Sequence, residues 1–373
     1  MSLDKAADRV KEIYAVLHAM PEPGFEEHKT AAYLAAQLRA AGYEVQTGIG
    51  GTGVVGTLKS GQPGPTVALR ADMDAMSHLI GGQLCAVHSC GHDAHSAMVL
   101  TVAERAARQG IKSGTLKILF QPAEELLFGA LRVIEAGVID DVDVMLGIHL
   151  RPHHEAKFGQ ATPALYHGAS YVVEAVVEGR TAHGARPHLG INAADAAAAC
   201  VFAVNAIRTN PVIPSSIKTT KLQASAGALN AIPARAEMAF DIRSQDNGQM
   251  AELLEKVKSA VAAAAAAVGA KADVTVKGGV PAAQYDAGII ELAREAILSI
   301  LGEKGLLPPA ATPGGEDFHF YAAKKPGLKA GYIGLGCDLA PGLHDPTMTF
   351  NQGALIYGVD ILSYMINKLL NNS

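Results

Sequence analysis

Cysteine is scarce in this chain and does not fall into a pattern. The four cysteines, Cys85, Cys90, Cys200 and Cys337, contain no Cys-x-x-Cys pair and are too sparse for a disulfide scaffold. Clustered Lys and Arg are also lacking, and the formal net charge is -5 at pH 7. That excludes the basic patch a nucleic-acid-binding protein needs to neutralise phosphates. No run approaches the roughly 18 apolar residues of a membrane span. Residues 1–11 read as a charged amphipathic helix and not as a signal peptide. These absences lead us to expect a reduced, cytoplasmic protein that binds neither nucleic acid nor membrane.

What is present is enough for a large core. The 373 residues are 49% hydrophobic and 18% charged, and that length exceeds what one core usually supports, so two domains are expected. Apolar spacing predicts helices over residues 4–18 and 26–41, separated by the breaker Pro21-Glu22-Pro23-Gly24. Strands follow over 54–59 and 66–70, then a helix over 94–108, a strand over 116–120, a helix over 129–136 and a strand over 142–150. This alternation predicts an α/β fold, a mixed sheet flanked by helices. From about Ser170 the order becomes strand 171–178, helix 191–208, strands 218–226 and 234–243, helix 248–268 and strand 272–277. That is the β-α-β-β-α-β split pattern of a small independent domain. We therefore expect a discontinuous catalytic domain over 1–169 and 280–373, interrupted by an α+β domain over 170–279.

Ligand-type side chains gather at the predicted strand ends. They are Asp72 and Asp74, then Cys90, His92 and His95, then Glu124 and Glu125, and finally His149 and His344. Open α/β sheets bind ligands outside the carboxyl ends of their strands, so three distant segments would present donors at one edge. Thiolate, imidazole and carboxylate together suit a borderline-soft divalent ion. Two such ions about 3.5–4 Å apart can activate one water and polarise one carbonyl. Cys90 could bridge them. Of the adjacent pair Glu124-Glu125, one carboxylate could bind metal while the other takes a proton from water. Neighbouring residues point opposite ways on a regular backbone, so this requires an irregular one, and Pro122 makes that plausible. Taken singly, His149 reads as a core histidine and Glu124-Glu125 as a solvated helix start. Cys90-Gly91-His92-Asp93-Ala94-His95, with three ligand types in six residues, is the segment that points to metal by itself.

These residues resemble the aminoacylase/carboxypeptidase superfamily of co-catalytic metallopeptidases, in the branch of hippurate and indole-acetyl-amino-acid hydrolases. The matching segments are Leu17-His18-Ala19-Met20-Pro21-Glu22, Arg70-Ala71-Asp72-Met73-Asp74-Ala75, Ser89 to His95, and Phe120-Gln121-Pro122-Ala123-Glu124-Glu125. Further along come Gly147-Ile148-His149, Ala182 to His188, Asn230-Ala231-Ile232-Pro233, Gly314-Gly315-Glu316-Asp317-Phe318 and Leu343-His344-Asp345-Pro346. The resemblance implies a catalytic α/β domain with an inserted ferredoxin-like lid and dimerisation domain. It implies Cys90, His92, Glu125, His149 and His344 as ligands of two divalent ions, with Cys90 bridging, and Glu124 as general base. Zinc is the first expectation, with manganese, cobalt or nickel also accepted. Asp72, Asp74, Asp93 and His95 would support the ligands. In the lid, His183 would reach the oxyanion from a partner subunit, Asn230 would meet the substrate, and Arg243 would recognise its carboxylate. Gly314, Gly315 and Asp317 would line the pocket. A homodimer and a small-molecule amide substrate follow.

The chain departs from that pattern after Asp74. Ala75-Met76-Ser77-His78 replaces the branch's leucine-proline pair, and the connection to Cys90 is short. The loop would then reshape the pocket, with His78 and His88 exposed to solvent on it. The expected activity is hydrolysis of an amide in small N-acyl amino acids or related amides. Dipeptidase or carboxypeptidase action is one alternative, and cleavage of an aromatic amine or amide C–N bond is another. A non-catalytic metal-binding role would be expected to have lost some of these donors.

Overall fold

The structure is a computed structural model that describes residues 3–312 and 314–371. The chain separates into two compact units, one of 1–166, 284–311 and 316–373 and one of 167–283 and 312–315. The expected N-terminal helix is Leu3–His18, and Met1 and Ser2 lie outside the described residues.

The first unit is built on a mixed sheet that, among the described residues, has seven strands. Their order is Glu44–Ile49, Gly53–Lys59, Thr115–Gln121, Thr66–Asp72, Val144–Pro152, Lys329–Leu339 and Ala161–Thr162. Thr66–Asp72 runs parallel to both its neighbours, and Lys329–Leu339 runs parallel to Val144–Pro152. The chain leaves Thr66–Asp72 to form the strand on one side of it and then crosses to form the strand on the other. That reversal opens the crevice in which α/β sheets bind ligands. Period-two alternation assigns the faces. Val67, Leu69, Ala71, Leu116, Ile118, Phe120, Leu146 and Ile148 join one apolar cluster with the helices Leu3–His18, His28–Ala40, His92–Gln109, Ala287–Leu301 and Leu355–Asn371. Arg70, Gln121 and His149 occupy the alternate positions and are nonetheless buried. The sheet therefore has one apolar face and a second, also buried, on which Arg70, Gln121 and His149 sit among apolar residues such as Ala68, Leu119 and Met145.

Two elements differ from expectation. The strand Glu44–Ile49 went unpredicted, because as an edge strand it is mostly exposed and carries no apolar alternation. The connection from Asp74 to Cys90 is a β-hairpin, Met76–Ile80 paired with Gln83–Val87 across Gly81-Gly82, both at positive φ (59° and 84°). Two consecutive positive-φ residues are what a tight two-residue hairpin turn requires. His88, just past the hairpin, is 3% exposed and stacks on the His18 ring with centroids 6.3 Å apart, which contradicts the solvent-facing position expected for it. His78 is half-buried and its Nε2 lies 2.8 Å from Ser89 Oγ, so it too is held by the protein.

The second unit is a four-stranded antiparallel sheet ordered Ser215–Ala224, Arg235–Ser244, Ala169–Glu178, Lys271–Val280. Val173, Ala175, Val177, Met238, Phe240 and Ile242 pack against the helices Ala193–Asn205 and Asn247–Ala267. Asn192 and Asp246 cap those helices through their side chains. The alanine-rich stretch 262–267 is the plain end of the second helix.

Candidate metal centre

The donors are delivered by the ends of the parallel strands and by one helix start. Gly91 stands at φ 91°, and a Cβ there would lie 3.0 Å from Leu150 Cδ1, so only glycine lets the chain turn into the helix His92–Gln109 at this point. His92 and His95 then fall in its first turn. Cys90 Sγ lies 3.6 Å from His149 Nε2, at the end of Val144–Pro152. His344 arrives from the far end of the chain because its amide donates to Ser89 O at 2.7 Å. Its Nε2 lies 3.6 Å from Glu125 Oε2.

The adjacent glutamates both face inward. Ala123 has φ 52° and Leu127 φ 56°, so the backbone is irregular on either side of them. His92 Nε2 lies 3.9 Å from Glu124 Oε2 and 3.8 Å from Glu125 Oε1. Glu27, fully buried, fixes this geometry. Its Oε1 accepts from the Ala123 amide at 2.8 Å and its Oε2 from the Thr52 hydroxyl at 2.5 Å.

The donor atoms form overlapping groups, each mutually within 4.8 Å: Cys90, His92 and His149; Cys90, Glu125 and His344; and His92, Glu124 and Glu125. Cys90, His92 and Glu125 each belong to two of them, so the three groups form one continuous cluster. Asp72, His92 and His95 also lie that close, but both His95 nitrogens are taken. Its Nδ1 donates to Asp72 Oδ1 at 2.7 Å and its Nε2 accepts from the Leu150 amide at 3.0 Å. It therefore supports the site and cannot ligate. The remaining imidazoles are aimed by their other nitrogen. His92 Nδ1 donates to Asp74 Oδ1 at 2.9 Å, and His149 Nδ1 to Leu150 O at 2.6 Å. Asp74 Oδ2 meanwhile accepts from the Glu125 amide at 3.0 Å.

Whether this set suits metal can be judged from its unpaired atoms. His92 Nε2 and Glu125 Oε1 are buried and have no hydrogen-bond partner among the described residues. Buried polar atoms left unpaired are costly, and here they point into a cluster of thiol, imidazole and carboxylate. The residues fit a pair of borderline divalent cations. Charges agree with that. Burial, then the nearby carboxylates of Glu316, Asp317 and Glu125, push the Glu124 carboxyl well above the usual range. Burial likewise raises the Cys90 thiol, with His92 opposing it, a shift that a bound cation would reverse.

Several supporting residues lie in segments that the sequence marks without showing what they contact. His18 Nδ1 holds Asp93 Oδ2 at 2.6 Å beside the helix start. The Glu22 carboxylate accepts the amides of Lys29 and Thr30 and so caps the helix His28–Ala40 from a distance. Asp317 is fully buried and accepts from Arg70, Gln121 and the Ala130 amide, so it anchors a network and does not line a pocket as expected. A lone arginine inside the apolar run Val67-Ala68-Leu69-Arg70-Ala71 was the available clue, since buried arginines are rare unless paired.

The second unit brings His183 and Asn230 together. Ala182–His183 pairs with Ala231–Ile232, and the Gly184 amide donates to Asn230 O at 2.7 Å. Both side chains belong to exposed residues. Arg243 stands on another strand, with Nε 3.0 Å from Asp241 Oδ1.

An α/β sheet whose crevice holds this donor set defines a hydrolase of the metallopeptidase type. The chain belongs to peptidase family M20/M25/M40, whose family model matches residues 68–368. A probable hydrolase of Synechocystis sp. is 33% identical, covering 95% of this chain and 94% of that one. The hippurate hydrolase of Campylobacter jejuni is 32% identical, with the same coverage of 95% and 94%. A dinuclear metal-binding peptidase of the M20 family from Bacillus subtilis superposes with TM-score 0.83 at 25% identity, covering 99% of this chain and 100% of that one.

Proposed function

We propose that the protein hydrolyses the amide bond of small N-acyl amino acids or related amides, using two divalent cations. Cys90, His92, Glu125, His149 and His344 would hold the cations, zinc first, with manganese, cobalt or nickel as alternatives. The observation that carries this reading is that two buried ligand-type atoms, His92 Nε2 and Glu125 Oε1, lie 3.8 Å apart in one cluster without a hydrogen bond.

When bound, the cations supply Lewis-acid polarisation of the scissile carbonyl and acidify water. Glu124 takes the proton from the attacking water and delivers it to the departing amine nitrogen as the C–N bond breaks. Its burial suits the role, because it favours the protonated form that Glu124 takes on once it has received the water's proton. Asp74 and Leu150 O keep His92 and His149 oriented throughout.

The second unit is assigned the lid and dimerisation role over 170–279, in a cytoplasmic homodimer. There His183 would serve the oxyanion, Asn230 the substrate, and Arg243 a substrate carboxylate, to which its planar fork is suited. Glu124→Gln is the direct test, with N-acetyl and N-benzoyl amino acids assayed beside dipeptides under added zinc, manganese or cobalt. Metal content should survive while turnover falls about 10²–10⁴-fold. Persistent turnover would remove Glu124 as base, and failure of every carboxylate-bearing substrate would remove the Arg243 assignment.

A further inference from the structure

Arg70 sits in the central strand with a side chain only 1% exposed. Its nitrogens reach five acceptors. Nε donates to Gln121 Oε1 (2.9 Å), Nη1 to Asp72 Oδ2 (2.6 Å) and the Tyr332 hydroxyl (3.3 Å), and Nη2 to Glu316 Oε1 (3.0 Å) and Asp317 Oδ1 (2.9 Å). Both ends of this network touch the metal centre. At one end Asp72 also accepts from His95 and lies 3.9 Å from His92 Nε2. At the other, carboxylate oxygens of Glu316, Asp317 and Glu124 lie within 4.8 Å of one another. The Asp317 amide donates to Glu124 Oε1 at 3.4 Å, which leaves Oε2 facing His92.

Packing alone does not account for so many buried charges. Apolar residues of similar volume often replace a buried ionic cluster at no loss of stability, or with a gain. The two carboxylates of Glu316 and Asp317, crowded against Glu124, would repel it and each other without a cation beside them. The remaining contacts show what the cation secures: Gln121 Nε2 and the Ala130 amide hold Asp317, and the Tyr332 hydroxyl holds Glu316 Oε2 at 2.7 Å. The segment is pinned from every side, and its amide is what meets the base.

We infer that Arg70 is a positioning residue for the general base, clamping Glu316 and Asp317 so that the Asp317 amide orients Glu124. This rests on the reading of Glu124 as the base. The long contact at 3.4 Å is of the kind that tightens when substrate fills a site.

Arg70→Lys keeps the charge but cannot span from Asp72 to Asp317, and Glu316→Gln keeps the size while reducing the Arg70 ion pair to a weaker hydrogen bond from guanidinium to neutral amide. The full-length metal-loaded variants should retain both ions and an unchanged KM, with kcat down roughly 100-fold for Arg70→Lys and about tenfold for Glu316→Gln. In the metal-free protein, amide hydrogen exchange over residues 316–320 should accelerate in both variants, a readout that needs no substrate. Should Arg70→Lys fail to fold, Glu316→Gln decides alone. Wild-type kcat together with unchanged exchange in a folded variant overturns the positioning role, as does a rise in KM at constant kcat. If Glu124→Gln is inactive while these variants behave as wild type, only the positioning role fails; if Glu124→Gln is active, the base assignment itself fails.

Discussion

Glu27→Ala is the sharpest perturbation of the scaffold behind the two glutamates. It touches no proposed ligand, and Glu27 is fully buried. Truncation leaves the Ala123 amide, held at 2.8 Å, without its acceptor, at a cost of about 1–3 kcal/mol for an unpaired buried N–H. Losing the Thr52 hydroxyl's partner adds about 1 kcal/mol. Part of this is returned because a buried carboxyl no longer has to be accommodated, so the net loss should be about 1–2 kcal/mol in urea unfolding. Catalysis should suffer more than stability. Ala123 at φ 52° occupies a conformation that costs a non-glycine residue of order 1–3 kcal/mol and persists only while held. Released, it relaxes and swings Glu124 or Glu125 out of the cluster, and kcat should fall on the order of 10²-fold.

Glu27→Gln separates charge from shape. The amide oxygen still accepts from Ala123, and its nitrogen can donate to Thr52. Burial holds the Glu27 carboxyl above the usual range, against the opposing hydrogen bonds from Thr52 and Ala123. Its folded pKa therefore exceeds its unfolded one, and the native state keeps the proton longer than the unfolded chain. Its contribution to stability is greatest below the unfolded value, about 4.3, and declines as pH rises through the folded value. The Gln variant, which cannot ionise, should gain on the wild type as pH rises from 4 to 7. Wild-type kcat and stability within about 0.5 kcal/mol for Glu27→Ala would refute the clamp.

Two further outcomes follow from the same geometry. Removing metal with a chelator should abolish hydrolysis and lower the melting temperature, and zinc, manganese or cobalt should restore both; hydrolysis that persists once bound metal is gone would contradict the cluster's role. Glu22→Ala should cost about 1 kcal/mol in urea unfolding, since it removes the distant cap of the helix His28–Ala40, and unchanged stability would mean that water caps it equally well.

The donors were legible in the sequence because their chemistry is rare and their order along the chain matched strand ends. Cys90 and His92 stand out because they share six residues with His95, whereas His149 alone reads as a core histidine and gains meaning only from the strand pattern that places it at the same edge. The scaffold was less legible. Arg70 and Glu22 lie in recognisable segments and Glu27 beside one, but what matters is which amide or carboxylate they meet across gaps such as the 96 residues from Glu27 to Ala123. Periodicity carries no information about such pairings. The hairpin between Asp74 and Cys90 has only a local signal: Met76–Ile80 and Gln83–Val87 are five residues each, joined by the Gly81-Gly82 turn, too short for periodicity to mark them.

Gly24 illustrates how a residue read for one purpose serves another. In the sequence, Pro23-Gly24 ends a helix. In the fold, a Cβ on Gly24 would lie 3.0 Å from both Cα and Cβ of Ala123 and 3.1 Å from Leu126 Cδ1. The leucine can yield by rotating, but Ala123 cannot, because its amide is held by Glu27 and its carbonyl by the Gly129 amide at 3.2 Å. Gly24→Ala therefore pushes on the one backbone position that turns both glutamates inward. Overpacking of this kind typically costs about 1–3 kcal/mol, and the displaced Ala123 should lower kcat with metal content intact. The companion Leu126→Ala leaves Ala123 untouched and should preserve kcat. If Gly24→Ala lost stability yet kept wild-type kcat, the backbone at Ala123 would be absorbing the strain without moving Glu124, and its left-handed turn would have no part in catalysis.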